Sequence, residues 1–254
     1  MLILKRTILF FIFILLSQII NSQVVNIEKK RKSNTDGFTG KVDLSFFITD
    51  IGKQILQLTN DIDLQYKKGA NTILLINNIG LMIVDDETLL NNGFQHLRYN
   101  YTVKDSSFFT LEAFLQHQYN PVKLLSQRFL IGGGPRFRIV NSEKISFFLG
   151  ALSMWEYEKL SDSLETSSRK LRFDNYMSLS IRLTENIEFS NITYYQPNYN
   201  NLLDYRISSE SAMKFKITNA LNFGFSFETT YDSNPPEDVQ DLFYYLKNSL
   251  SYSF

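Results

Sequence analysis

The chain of 254 residues has no cysteine, two histidines and one tryptophan, and its 26 basic side chains are matched by 26 acidic ones. Without cysteine there is no disulfide framework, no thiolate nucleophile and no cysteine-ligated metal. His96 and His117 alone supply imidazole, which leaves little material for metal binding or acid–base chemistry. Zero net charge removes the broad basic field by which proteins hold nucleic acid, so no nucleic-acid partner is expected. Long apolar blocks are missing from most of the chain, because 44% of residues are apolar and yet mean hydropathy is −0.16. Such a chain must alternate its polarity finely. What it has in surplus is 22 phenylalanines and 14 tyrosines. Its length suits one large domain or two small ones.

One stretch departs from fine alternation. Lys5 and Arg6 precede an unbroken apolar run from Ile8 to Leu16. That is the pattern of an export signal, a charged segment followed by about 7–15 apolar residues. Ser17 and Gln18 interrupt it before the roughly 20 residues that a spanning helix needs. Residues 1–22 are therefore expected to be a signal peptide cut near Asn21-Ser22-Gln23, the alternatives being an uncleaved anchor or a buried helix. No cysteine stands at the cut, which excludes a lipoprotein anchor. Residues 23–36, with Glu28 to Asn34 lacking apolar periodicity, are expected to form a polar periplasmic lead-in, a solvated tail.

From residue 37 to 254 the period is two. Leu56, Leu58, Ile62, Leu64 and Tyr66 oppose Gln57, Thr59, Asp61, Asp63 and Gln65. Leu97, Tyr99, Tyr101 and Val103 oppose His96, Arg98, Asn100 and Thr102. Leu171, Phe173, Met177, Leu179 and Ile181 oppose Arg172, Asp174, Ser178, Ser180 and Arg182. Leu221, Phe223, Phe225, Phe227 and Tyr231 oppose Asn222, Ser226, Glu228 and Asp232. Such alternation marks half-buried strands. With weaker segments included, about twelve are expected, near 38–50, 53–67, 71–84, 93–104, 106–119, 123–140, 144–159, 169–183, 186–197, 203–217, 219–232 and 239–254.

A soluble β-sandwich alternates in the same way. Three features favour an antiparallel up-and-down transmembrane β-barrel, an all-β fold. The strands are longer than the soluble mode of about 5–6 residues. Tight turns at Lys68-Gly69-Ala70, Lys104-Asp105, Asn141-Ser142-Glu143, Glu185-Asn186 and Thr218-Asn219 alternate with longer polar stretches at Asp85–Asn92, Leu160–Ser168, Pro197–Leu202 and Ser233–Asp238, although Asp50-Ile51-Gly52 and Asn120-Pro121-Val122 are short. Outer-membrane barrels have short turns on the periplasmic side and longer loops outside. The last strand ends on Phe254 after Leu250 and Tyr252, a pattern resembling the signal read by the barrel-assembly machinery. The expected partners are that machinery and outer-membrane lipid, and the expected state is a monomer in the outer membrane.

In a barrel the polar faces line the lumen. The candidate lining charges are Glu112, Arg128, Arg136, Arg138, Glu156, Glu158, Arg172, Asp174, Arg182, Arg206, Glu210, Lys214, Lys216 and Glu228. The signs interleave: the Arg-rich sixth strand lies between Glu112 on the fifth and Glu156 and Glu158 on the seventh, so pairs across the ladder are expected. A lumen filled by such a network is favoured over a narrow charged pore. No cofactor is expected. Gly132-Gly133-Gly134 lacks the Lys-Ser/Thr of a phosphate loop and reads as bending or close packing within a strand. Asp85-Asp86-Glu87 lacks the alternating ligands of a calcium loop. A lipid-active hydrolase would need a nucleophile beside His96 or His117, and neither lies in a nucleophile motif. The chain is not expected to be an enzyme. Its expected role is structural or in small-solute or ion passage. The alternatives are that hydrolase and a soluble, exported β-sandwich that binds ligand.

Three stretches carry a family resemblance. Asn92-Gly93-Phe94-Gln95-His96-Leu97-Arg98-Tyr99-Asn100-Tyr101, Leu111-Glu112-Ala113-Phe114 with Gln118-Tyr119-Asn120, and Arg128-Phe129-Leu130-Ile131-Gly132-Gly133-Gly134-Pro135-Arg136-Phe137 resemble the uncharacterised outer-membrane proteins of Bacteroidetes-type bacteria often labelled salt-induced. The resemblance implies an outer-membrane β-barrel and brings no catalytic residues.

Overall fold

A computed structural model describes residues 36–50, 52–103, 108–218 and 220–252. The expected signal peptide, the lead-in up to residue 35, the turn at Lys104-Asp105, Asn219 and Phe254 lie outside the described residues. Twelve strands follow one another: β1 (Gly37–Asp50), β2 (Gln54–Lys68), β3 (Asn71–Val84), β4 (Glu87–Thr102), β5 (Phe109–Asn120), β6 (Leu125–Asn141), β7 (Ile145–Leu160), β8 (Ser167–Arg182), β9 (Ile187–Asn198), β10 (Asn201–Lys216), β11 (Leu221–Asp232) and β12 (Leu242–Tyr252). Each pairs antiparallel with the next, giving one sheet in the order β1 to β12. A single twelve-stranded meander is not a sandwich, which needs two packed sheets. Strands of 11 to 17 residues exceed the roughly 9–11 that a tilted strand needs to cross hydrocarbon.

The sheet is rolled. The Tyr176 hydroxyl of β8 donates to Glu112 of β5 at 2.6 Å, and the Arg206 guanidinium of β10 donates to Glu158 of β7 at 3.1 Å. Strands three apart in a flat sheet would be separated by roughly 14 Å at about 4.8 Å per strand. Lys123, between β5 and β6, puts its ammonium 4.8 Å from the Phe243 ring of β12. The concave face buries Glu112, Arg128, Glu156, Arg172 and Asp174, while Leu97, Leu111, Leu115, Phe129, Ile131, Trp155, Leu171 and Met177 stay exposed on the convex face.

The connections correct one expectation. The long loop expected at Asp85–Asn92 is a two-residue turn: β3 ends at Val84 and β4 begins at Glu87. Asp85 and Asp86 take φ of 49° and 67°, the pair of positive values that tight hairpins favour. An aspartate tolerates that region better than most residues, because its short side chain bonds locally. Here the Asp85 carboxylate accepts from the Gln54 amide of β2 at 2.9 Å. Leu89 enters as a bulge, opposite the step from Met82 to Ile83. The stretch Pro197–Leu202 likewise shrinks to Tyr199-Asn200. On that end of the sheet only the connections at 161–166 and 233–241 exceed three or four residues, so the alternation of short turns and long loops is weaker than the sequence suggests.

At the β5–β6 connection a single 3₁₀ turn, Pro121–Lys123, is capped by Asn120, whose side-chain oxygen accepts from the Val122 amide at 3.0 Å. Pro121 suits the first helical position, where its missing N–H costs nothing. Further along, the Gly132–Gly134 run sits inside β6. A Cβ on Gly134 would strike the backbone of Ala151 and Leu152 in β7, so glycine permits that close approach. The β6–β7 ladder skips Gly134 and Pro135, where proline has no N–H to give.

Candidate functional site

The interior is built by parity. On β7 the inward positions run Gly150, Leu152, Met154, Glu156 and Glu158; on β8 they run Arg172, Asp174, Tyr176 and Ser178; on β10 they run Asp204, Arg206, Ser208 and Glu210. Two charged groups result, with apolar side chains between them.

The first group surrounds Glu112. Arg98 of β4 donates to Glu112 at 2.9 Å, Tyr176 donates to the same oxygen at 2.6 Å, and Arg136 approaches the other oxygen at 4.0 Å. Arg98 also donates to His96 Nε2 at 3.3 Å, and His96 Nδ1 lies 3.0 Å from the Gln116 side chain. The His96 ring stacks between Phe94 and Phe114. Arg136 lies over the Phe148 ring at 3.7 Å, a desolvated cation–π contact.

The second group surrounds Glu156, which takes three guanidiniums: Arg128 at 2.6 Å, Arg172 at 2.5 Å, and Arg206. Arg206 is held in turn by Asp232 at 2.5 Å and Glu158 at 3.1 Å. Arg172 reaches Asp204 at 2.8 Å and the carbonyls of Gln196 and Asp204, each at 3.1 Å. Lys170 completes Asp204 at 2.7 Å. Every charge of this group therefore has an opposite neighbour, as buried charge requires. Between the two groups Phe114, Leu130, Leu152, Met154, Tyr176, Ile192 and Tyr194 form an apolar cluster.

Of the fourteen expected lining charges, Arg128, Glu156, Glu158, Arg172 and Arg206 come together around Glu156, and Glu112 with Arg136 makes the other group. Asp174 is buried and accepts from Gln196 at 2.7 Å, and Glu228 pairs with Lys247 at 3.0 Å. Glu210 is buried and Arg138 half-buried. Arg182, Lys214 and Lys216 share the inward parity but are exposed, at the end of the sheet near the β8–β9 and β10–β11 turns. The expected pairing of β6 arginines with β5 and β7 is present. The shortest cross-lumen contacts, however, come from β8 and β10, which ladder pairing does not foresee. The inner face is not polar throughout, because the apolar cluster shares it. Arg98, Tyr176, Lys170, Asp204 and Asp232 contribute to the two groups without being among the fourteen expected charges. Arg98 and Asp204 carry the inward parity, so a stricter use of parity finds them.

His117 lies on the outer face, half-buried, 2.7 Å from the Gln95 side chain and stacked on Phe129 at 4.5 Å. The two imidazoles thus sit on opposite faces, and among the described residues neither has a hydroxyl among its hydrogen-bond partners. Among the described residues no three His, Asp or Glu side chains are grouped to hold a metal ion. The interior holds a cavity of about 50 Å³ lined by His96, Arg98, Gln116, Asp174, Gln196 and Ser208, among others. That is room for a few waters.

No functionally curated protein matches the chain. Among solved structures the chain is similar to the NanC porin, with a TM-score of 0.49 and 8% identity over 84% of this chain and 99% of that one. A bacterial polysaccharide outer membrane secretin gives a TM-score of 0.48 and 10% identity, over 83% of this chain and 84% of that one. The KdgM porin in complex with disordered oligogalacturonate gives 0.40 and 9%, over 83% and 98%. The match to a family model is more extensive, running from residue 33 to 254 and enclosing the three stretches of resemblance at 92–138: the chain belongs to the family described as Protein of unknown function, DUF481.

Proposed function

We propose that the protein is an outer-membrane β-barrel in which β12 closes on β1, with a structural role or, at most, passage of water and small ions through a side-chain-filled lumen. The convex face carries the argument for the membrane. Exposed Leu97, Leu111, Leu115, Phe129, Ile131, Trp155, Leu171 and Met177 on neighbouring strands form an apolar surface far beyond what a soluble monomer leaves to water. Rolled strands leave no backbone group unpaired in lipid only if the edges meet. The single observation that favours a filled lumen is Glu156 of β7, which binds arginines of its neighbours β6 and β8 and, across the interior, Arg206 of β10. The cavity beside His96 and Arg98 admits a few waters and no sugar-sized solute.

Fractionation and planar-bilayer recording test this reading. The protein is expected in detergent-extracted outer membranes, with heat-modifiable gel mobility. Reconstituted protein is expected to give no current or steps of small-ion size only, and Arg206→Ala is expected to enlarge them by removing a group that reaches through the interior from β10 to β7. Large, solute-sized conductance in the unmodified protein would overturn the filled lumen.

A further inference from the structure

At the end of the interior beyond Glu156, a second cavity opens under the β11–β12 connection. Lys123, Thr230, Glu158, Arg206 and Asp232 line it on the polar side, and Phe243 with Pro235, Pro236 and Val239 lines it on the apolar side. Two of its polar groups make no hydrogen bond. Lys123 is 7% exposed and Thr230 5%, yet neither the Lys123 ammonium nor the Thr230 hydroxyl has a hydrogen-bond partner. Burying such groups without partners costs free energy, and far more for an ammonium than for a hydroxyl. The other charges on this wall are engaged: Arg206 holds Glu158 at 3.1 Å and Asp232 at 2.5 Å. Asp241, on the same wall, is exposed to solvent. What the cavity lacks is an acceptor for the Lys123 ammonium and for the Thr230 hydroxyl.

We infer that this cavity binds a small monoanion with an apolar end, a short-chain monocarboxylate, with its carboxylate on Lys123 and Thr230 and its alkyl end against Phe243, Pro235 and Pro236. Geometry and charge together select a monoanion: the Lys123 ammonium makes no hydrogen bond, while Glu158, Asp232 and Asp241 on the same wall repel any further negative charge. Size selects a short chain, because the cavity measures about 40 Å³. The apolar wall selects a carboxylate over a bare halide. Phe243 lies 4.8 Å from the ammonium and occupies only one side of it, leaving N–H groups to point elsewhere. Burial, with help from the neighbouring Arg128 and Arg206 and against the opposing pull of Asp232 and Glu228, lowers Lys123 to about 8. A bound carboxylate restores its preference for the charged form. This inference concerns a binding site at the mouth and holds whether or not the lumen conducts.

The test is calorimetric titration of the full chain in detergent with sodium propionate, chloride and phosphate as probes. Propionate is expected to bind more tightly than chloride or phosphate. Lys123→Met is expected to weaken propionate about tenfold or more, the worth of one charge-assisted hydrogen bond. Thr230→Val is expected to weaken it less, and heat-modifiable mobility should show both variants folded. Wild-type affinity is expected to fall as pH rises above about 8, where the free site loses its proton, and Lys123→Met should show no such fall. Equal affinity of the folded Lys123→Met variant, or no propionate binding at pH 7, would overturn the site. Tighter phosphate or equal chloride would overturn the monocarboxylate.

Discussion

The interior holds two buried glutamates that solve one problem in different ways. Glu112 meets one guanidinium at bonding distance, a tyrosine hydroxyl and a second guanidinium 4.0 Å away. Glu156 meets three guanidiniums directly. The surroundings differ accordingly. Near Glu112 the arginines rest on Phe114 and Phe148, so the electron-rich aromatic faces offset part of their positive charge. Near Glu156 the arginines have further carboxylates, Glu158, Asp204 and Asp232, and form a network in which each charge leans on several. The difference teaches that Glu156 is a hub and Glu112 the end of a chain. Removing the hub leaves three guanidiniums facing one another, whereas removing Glu112 leaves two, Arg98 and Arg136.

The largest expected effect follows. Glu156→Gln removes the charge that separates Arg128, Arg172 and Arg206, and is expected to cost about 5 kcal/mol, the upper end for breaking a buried ionic contact. Glu112→Gln leaves two guanidiniums, Arg98 and Arg136, each resting on an aromatic ring, and is expected to cost about 3 kcal/mol. Both are read as the shift in urea unfolding in detergent, followed by heat-modifiable mobility. Equal losses would mean that the two groups are energetically alike and the hub description is wrong.

Much of this comparison was legible in the sequence, and some of it was not. Period-two alternation assigned Glu112, Arg128, Arg136, Glu156, Arg172 and Arg206 to one face, because parity propagates along a strand without error until a bulge intervenes. Parity says nothing about which opposite wall a side chain reaches. Arg206 meets Glu156 three strands away only because the sheet rolls, and the degree of rolling is set by the whole sheet. The hairpin at Asp85-Asp86 was obscured because Leu89-Leu90-Asn91-Asn92 breaks alternation, a bulge read as a loop. Lys123 was invisible for a related reason. It stands in a connection, where no periodicity states a direction, and its burial comes from the β11–β12 segment folding over it.

A smaller effect concerns how Tyr176 is held on Glu112. Tyr176 pairs with Gly150 across the β7–β8 ladder, and its ring lies where a Cβ on Gly150 would stand. An aromatic ring covering a cross-strand glycine protects that backbone and fixes the ring. Gly150→Ala is expected to push the ring aside and cost about 2 kcal/mol through overpacking and the lost hydrogen bond.

Tyr176→Phe gives the smallest effect and the sharpest check on that coupling. It keeps the ring over Gly150 and removes only the hydroxyl that donates to Glu112 at 2.6 Å. Glu112 retains Arg98, so the expected loss is about 1.5 kcal/mol, the low end for a hydrogen bond to a charged group. The two substitutions are neighbours and should not add. If the ring is what alanine displaces, Gly150→Ala already breaks the hydroxyl's bond, and adding Tyr176→Phe to it should cost almost nothing more. A double-mutant cycle measures this as an interaction energy close to the single Tyr176→Phe loss. Strict additivity would show that the hydroxyl reaches Glu112 wherever the ring sits, and that the glycine serves the backbone alone.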